Sequence, residues 1–182
     1  MCGRFREAEM ILKSIKTSEL PRDLLINYYQ TYSSFWGHYS ISVANNLYGK
    51  QQAAYQDSLF ALIDHTSWDY RMSQASYYIW RDTLKSKEIY KELLEIEEVG
   101  TPNYAMITHS YSRLCHHQKK YDEEKKYLML SAIADTRNAT RENASLQSLA
   151  LIAYDEQNLA DAFKFTQSAI DDVISCLLYT SN

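Results

Sequence analysis

Apolar residues recur at helical spacing along most of the chain. Tyr104, Ile107, Thr108, Tyr111, Leu114 and Cys115 fall on one helical face. Leu146, Leu149, Ala150 and Ala153 share another, and Leu159, Ala162, Phe163, Thr166, Ala169, Ile170 and Val173 a third. Polar or turn-forming stretches separate them: Gly100-Thr101-Pro102, Gln118-Lys119-Lys120 and Asp155-Glu156-Gln157-Asn158. The pattern predicts nine helices, over 4–16, 21–43, 47–65, 69–81, 83–98, 102–118, 121–137, 140–156 and 158–176. Connections this short make neighbouring helices antiparallel. Ser18-Glu19-Leu20-Pro21 reads as a helix start with proline in the first turn, and Ser67 as a cap for the helix after it. Within 21–65 the pattern is least sharp, because Asn45-Asn46 is a weak break.

Composition narrows the class. Four glycines and two prolines occur in 182 residues, far below the usual ~12%. Collagen-like, Pro/Gly-rich disordered and strand-dense folds need more turn formers than that. A hydrophobic fraction of 46% fills a core and excludes bulk disorder. The formal net charge of −4 argues against nucleic-acid binding through this segment. Cys2, Cys115 and Cys176 form neither a disulfide framework nor zinc-ligand spacing. No run approaches the ~18–20 apolar residues of a membrane span. The N-terminal Met1-Cys2-Gly3-Arg4-Phe5-Arg6 lacks the apolar segment of a signal peptide, so a chain complete as written would be cytoplasmic.

The helices also repeat. A tetratricopeptide unit pairs two helices, with small residues where they touch, and its second helix opens G-x-[FY]-x-x-A. Residues 146–169 fit well, with Leu149-Ala150, then Leu159, Ala162 and Ala169. Residues 108–132 carry Tyr111-Ser112 and Tyr121, with Glu124 where the small residue should be. Residues 71–94 fit more weakly, on Leu84 and Leu94. The aligned positions Leu84, Tyr121 and Leu159 stand 37 and 38 apart. Gly3-Arg4-Phe5-Arg6-Glu7-Ala8 reads as the start of a second repeat helix, so the chain is expected to begin mid-repeat. The expected fold is an all-α antiparallel helix-hairpin solenoid of tetratricopeptide-repeat type, with one domain over 1–174 of about four and a half repeats. The tail 175–182 has no helix-stop signal before it. Its Cys-Leu-Leu-Tyr-Thr-Ser string resembles translated sequencing-adapter read-through, and an ordinary frayed end is the alternative.

The stretches Phe5-Arg6-Glu7-Ala8-Glu9 through Tyr28-Tyr29, Tyr55-Gln56-Asp57-Ser58-Leu59 and, most specifically, residues 131–172 carry a family resemblance. The chain resembles tetratricopeptide-repeat regulators of Gram-negative bacteria whose repeat region is a domain of unknown function. Members of that family carry a signal peptide, a helical repeat region outside the inner membrane, one membrane helix, a coiled coil and a cytoplasmic DNA-binding end. The resemblance implies a sensor or scaffold segment of a longer regulator, on the periplasmic side, meeting the membrane only through a flanking segment. It implies no catalytic residue and no cofactor. The alternative is a free-standing scaffold or adaptor without regulatory output.

First helices of such repeats line the concave face, where ligands bind. Their outward positions are Met106, His109, Arg113, His116 and His117 in one repeat. The matching positions are Asp69, Met72, Ser76, Ile79 and Trp80 before it, and Gln147, Leu151, Tyr154 and Asp155 after it. This lane suits an acidic or C-terminal peptide segment of a protein partner, with His109 and Arg113 as charge partners and Trp80 and Tyr154 as apolar anchors. The competing reading is a solvated helix face without a ligand. His109 and His116 stand two turns apart, about 10 Å, too far to share one metal ion. The aromatics Tyr28, Tyr32, Phe35, Trp36 and Tyr39 suggest a stacking surface for bases or sugars, but filling between repeat helices is the commoner use of tyrosine. Glu97-Glu98, Asp122-Glu123-Glu124 and Asp171-Asp172 alternate with lysines and read as solvated, salt-bridged faces. Asn138-Ala139-Thr140 and Asn143-Ala144-Ser145 match a glycosylation acceptor but lie in or beside helices. No nucleotide-binding, hydrolase or metalloprotease motif occurs, and no enzyme activity is expected.

Overall fold

The computed structural model describes residues 4–43, 47–138 and 143–179. Among them stand nine α-helices and no strand: α1 (Phe5–Ser14), α2 (Arg22–Val43), α3 (Leu47–Leu62), α4 (Trp68–Tyr78), α5 (Thr83–Ile96), α6 (Pro102–His117), α7 (Tyr121–Arg137), α8 (Ala144–Asp155) and α9 (Leu159–Tyr179). Cys2, Gly3, Asn45-Asn46, Ala139-Thr140 and residues 180–182 lie outside the described residues, as do the side chains of Asp172, Val173 and Cys176. Helix starts follow local chemistry. Ser67, Asp82, Thr101 and Asn158 each accept a hydrogen bond from the backbone N–H three residues on, at 3.1–3.2 Å. The expected start around Ser18-Glu19-Leu20-Pro21 differs in detail. Residues Thr17–Glu19 form a 3₁₀ turn, and Pro21 precedes α2, its carbonyl accepting the first helical bond from Leu25 at 2.9 Å.

The chain divides into two compact units, Met1–Tyr70 and Arg71–Asn182, with the boundary in the first turn of α4. In the first, α2 and α3 run antiparallel. Trp36 stacks on Tyr48 at 5.3 Å and, further back along α2, Tyr32 stacks on Tyr55 at 4.3 Å. Leu12 of α1 joins Tyr32 and Trp36 in the core, with Tyr28, Phe35 and Tyr39 against it. The rings of the proposed stacking surface are therefore spent on each other. Burial pushes the Tyr32 hydroxyl well above its ordinary range. Gly37 faces Gln52 of α3, whose amide lies 2.9 Å from where a Cβ would stand.

The second unit holds the hairpins. In α6 and α7 the paired residues run in opposite directions: His116 meets Glu124, Tyr111 meets Tyr127, and Ala105 meets Ser131. Small residues make the crossings. Ala105, Ser131, Ala134, Ser145 and Ala153 are all buried, as are Ala162 and Ala169 of α9. Each buried hydroxyl has a partner. Ser86 donates to the Ala75 carbonyl at 2.8 Å and Thr108 to the Tyr104 carbonyl at 2.8 Å. The register markers Leu84, Tyr121 and Leu159 keep their spacing but do not belong to the core. They are exposed, because each sits in the first turn of its helix, before the crossing. Buried Cys115 has its thiol pushed up to about 11 by burial, with Glu123 adding to the effect.

The turns repeat as closely as the helices. After α6, the Lys120 N–H reaches the Cys115 carbonyl at 2.9 Å, and after α8 the Asn158 N–H reaches the Ala153 carbonyl at 2.8 Å. These are Schellman closures, which need a left-handed residue. Lys119 and Gln157 fill that role at φ 58° and 60°, at the position where the repeat pattern places glycine. A side chain there costs about 1 kcal/mol, offset in part by the greater freedom glycine has when unfolded. Lys119→Gly and Gln157→Gly are each expected to raise unfolding free energy by about 0.5 kcal/mol, read as a higher urea midpoint at unchanged slope. A lower midpoint would mean that these two side chains contribute more than their backbone strain removes.

Candidate functional site

A cavity of about 280 Å³ opens where α6, the start of α7 and α8 meet. Its walls include His109, Arg113 and His116 of α6, Glu124 of α7 and Ser148 of α8, with Trp80 on the side of α4. Helical spacing puts the three α6 residues on one face. His117 belongs to the same rim, its ring edge-on to Trp80 at 4.4 Å.

His109 is held by a relay. Ser131 gives its one hydroxyl hydrogen to the Ala105 carbonyl at 3.0 Å, and Ser145 gives its own to Ser131 Oγ at 2.9 Å. Ser145 Oγ is left as the acceptor, so the proton in the 2.9 Å contact with His109 Nδ1 sits on the imidazole. One cavity residue is thereby tied to the crossings of α6, α7 and α8.

Glu124 is the residue that its sequence context misread. Among lysines it looked like part of a solvated face, yet it is only 9% exposed. Both carboxylate oxygens face His116 Nδ1, at 2.9 and 3.1 Å. The signal that could have found it was its place, where the repeat expects a small residue. The rest of that charged stretch stays at the surface, where Lys120 pairs with Glu123 and Lys125 with Glu156.

Arg113 is exposed and makes no hydrogen bond or ion pair with any described residue. Its charge reaches the buried Tyr90 hydroxyl. Burial raises that group above its ordinary range, while the Ser76 hydrogen bond and the Arg113 charge pull it back.

The structure brings Trp80, His109, Arg113 and His116 to one cavity. Met106 is exposed on α6 but does not line it. Met72 is corrected: it is 8% exposed and belongs to the core, as does its neighbour Ile79 at 1%. Ser76 is likewise engaged, with its hydroxyl 3.0 Å from that of Tyr90. Gln147 and Tyr154 line a second, larger cavity of about 610 Å³ on α8 and α9, together with Leu151. Ser145 of the acceptor triplet is buried, which removes it as a modification signal. No group of three or more His, Cys, Asp or Glu side chains among the described residues is placed to hold a metal ion. No helix among them is long and apolar enough to cross a membrane.

Helix pairs closed by repeated Schellman turns, with small residues at each crossing, define an all-α helical-repeat solenoid of tetratricopeptide type. The family described as the SusR N-terminal TPR domain matches residues 1–177, and the chain belongs to that family. No curated protein and no solved structure matches the chain. Domains of this type are generally non-catalytic scaffolds that mediate protein interactions.

The His116–Glu124 pair gives an asymmetric prediction. Removing His116 strands a buried carboxylate, whereas removing Glu124 leaves an exposed imidazole in water. His116→Ala is expected to cost about 1–2 kcal/mol and Glu124→Ala less than half of that, by equilibrium urea unfolding. Equal losses would mean that Glu124 finds its support elsewhere.

Proposed function

We propose that this chain is a protein-interaction or ligand-sensing repeat segment of a bacterial signalling or transcriptional regulator, working on the periplasmic side of the inner membrane. Its ligand face is the lane through Trp80, His109, Arg113, His116 and His117, and its ligand is an acidic peptide segment of a protein partner. The observation that carries this reading is Arg113. A guanidinium without a partner, beside an exposed tryptophan and at the mouth of a cavity, is an anion site with an aromatic wall. The one carboxylate in the cavity does not compete for it, because Glu124 is turned to His116. Output would come from occupancy shifting the packing of α6 against α7 and α8, through the relay that begins at His109.

Site-specific photocrosslinking tests this in cells of the native host. A benzoylphenylalanine at Met106 or His117 is expected to capture a discrete partner, and one at Ile133 of α7, also exposed, is not. Arg113→Ala should reduce capture from the lane about tenfold. Equal capture from Ile133, or capture indifferent to Arg113→Ala, would assign the partner surface elsewhere.

A further inference from the structure

Glu124 stands where the repeat calls for a small residue, and the next repeat follows that rule. A step of 38 carries Glu124 to Ala162. Both positions are 9% exposed, so a carboxylate fills a place that packing alone gives to a methyl group. Glu124 also shares its cavity with Arg113, the one permanent cation among the lining residues. A carboxylate of the chain itself beside an anion site is a competitor for that site.

His116 holds the competitor away. Both oxygens of Glu124 face its Nδ1, at 2.9 and 3.1 Å. The hold depends on the charge of the imidazole. As imidazolium, His116 balances Glu124, and the net positive charge of the three groups is that of Arg113. As neutral imidazole it offers a hydrogen bond but no counter-charge, and a nearly buried carboxylate is left unbalanced, which is unfavourable. Arg113 starts one turn before His116 on the same helical face. Its side chain is exposed and its stem long, so the guanidinium can turn to Glu124.

Other charges surround the pair. On α6 and the turn after it stand His109, His117 and Lys120, and on α7 Glu123, which pairs with Lys120 at 3.9 Å. The Tyr121 ring is edge-on to His116 at 6.0 Å. Beneath them Cys115, which also feels Lys87 of α5, has its thiol pushed up to about 11. Helix α8 gives the cavity only Ser148, and the side of α4 only Trp80, so neither adds charge. Imidazoles are the side chains here whose ordinary charge change falls between about pH 5 and 8, and His116 is the one joined to Glu124.

We infer that Glu124 is a built-in competitor of the acidic ligand, kept off Arg113 while His116 is protonated and released to it when His116 is neutral. The site therefore takes a carboxylate best at low pH and loses it as pH rises. A bound carboxylate favours the imidazolium in turn, so ligand binding and proton uptake reinforce each other. The inference rests on the acidic-peptide reading of the lane and adds its regulation.

The test uses the ¹⁵N-labelled chain and the blocked pentapeptide Gly-Gly-Glu-Gly-Gly, with Gln replacing Glu as its neutral form. Affinities are read from amide shifts at about pH 6 and 8, where the peptide carboxylate stays ionised. The Glu peptide is expected to bind about tenfold tighter at the lower pH, and the Gln peptide equally at both. Glu124→Gln removes the competitor and should give the Glu peptide its low-pH affinity at both. A second readout needs no variant: in the unaltered chain, long-range ¹H–¹⁵N correlations of the His116 ring should show that saturating Glu peptide delays loss of its proton as pH rises. The same preference for Glu over Gln at both pH values would overturn the competitor and leave the acidic-peptide reading standing. No preference at either would overturn both. A pH dependence that survives in Glu124→Gln would belong to another imidazole and overturn the inference.

Discussion

The second unit depends on how closely α6, α7 and α8 approach one another. Ala105, Ser131 and Ser145 are 2%, 1% and 2% exposed, so nothing larger fits at the crossing without moving a helix. Serine brings a cost that alanine does not, since an unpaired buried hydroxyl loses about 1–3 kcal/mol. Here the hydroxyls satisfy one another in sequence, from the Ala105 carbonyl through Ser131 and Ser145 to His109. The chain of hydrogen bonds also has a direction. A backbone carbonyl only accepts, so each donor along it is determined, and the imidazole must supply the last proton.

That direction links the packing of the helices to the cavity. His109 is both the end of the relay and a wall of the charged cavity. A ligand that turns the imidazole acts on Ser145 of α8 and Ser131 of α7 together. Glu124 makes a second link of the same kind. It occupies a crossing position suited to a small residue, and its carboxylate is kept there by an exposed histidine of the facing helix. Polar groups at crossings are unfavourable unless fully partnered. Both partnerships in this unit end at the same cavity.

Most of the architecture was legible because it is periodic. Helix boundaries follow from stripes such as Tyr104, Ile107, Tyr111 and Leu114, all of which are buried, and from caps such as Ser67. Periodicity does not say how far a stripe is covered. Leu159 and Phe163 share a face with Ala162 and Ala169, yet the first two are exposed and the alanines are buried. The site was legible in part for the same reason. Spacing alone puts His109, Arg113 and His116 on one face of α6, and all three line one cavity, whereas Met106 does not. Met72 was misplaced, because the same repeat position can turn inward where its side chain fits the core. Glu124 was missed because a carboxylate beside lysines is read by its neighbours in sequence, whereas its environment is set by a residue eight positions back on another helix.

Repeat proteins separate the residues that hold the backbone from those that meet a ligand. The two hairpins of this unit show how completely. Buried positions recur at a step of 38, Tyr111 with Leu149, Cys115 with Ala153 and Ser131 with Ala169, as do the left-handed turn conformations adopted without glycine at Lys119 and Gln157. The lane positions recur at the same step with their charge removed: arginine is exchanged for leucine and glutamate for alanine.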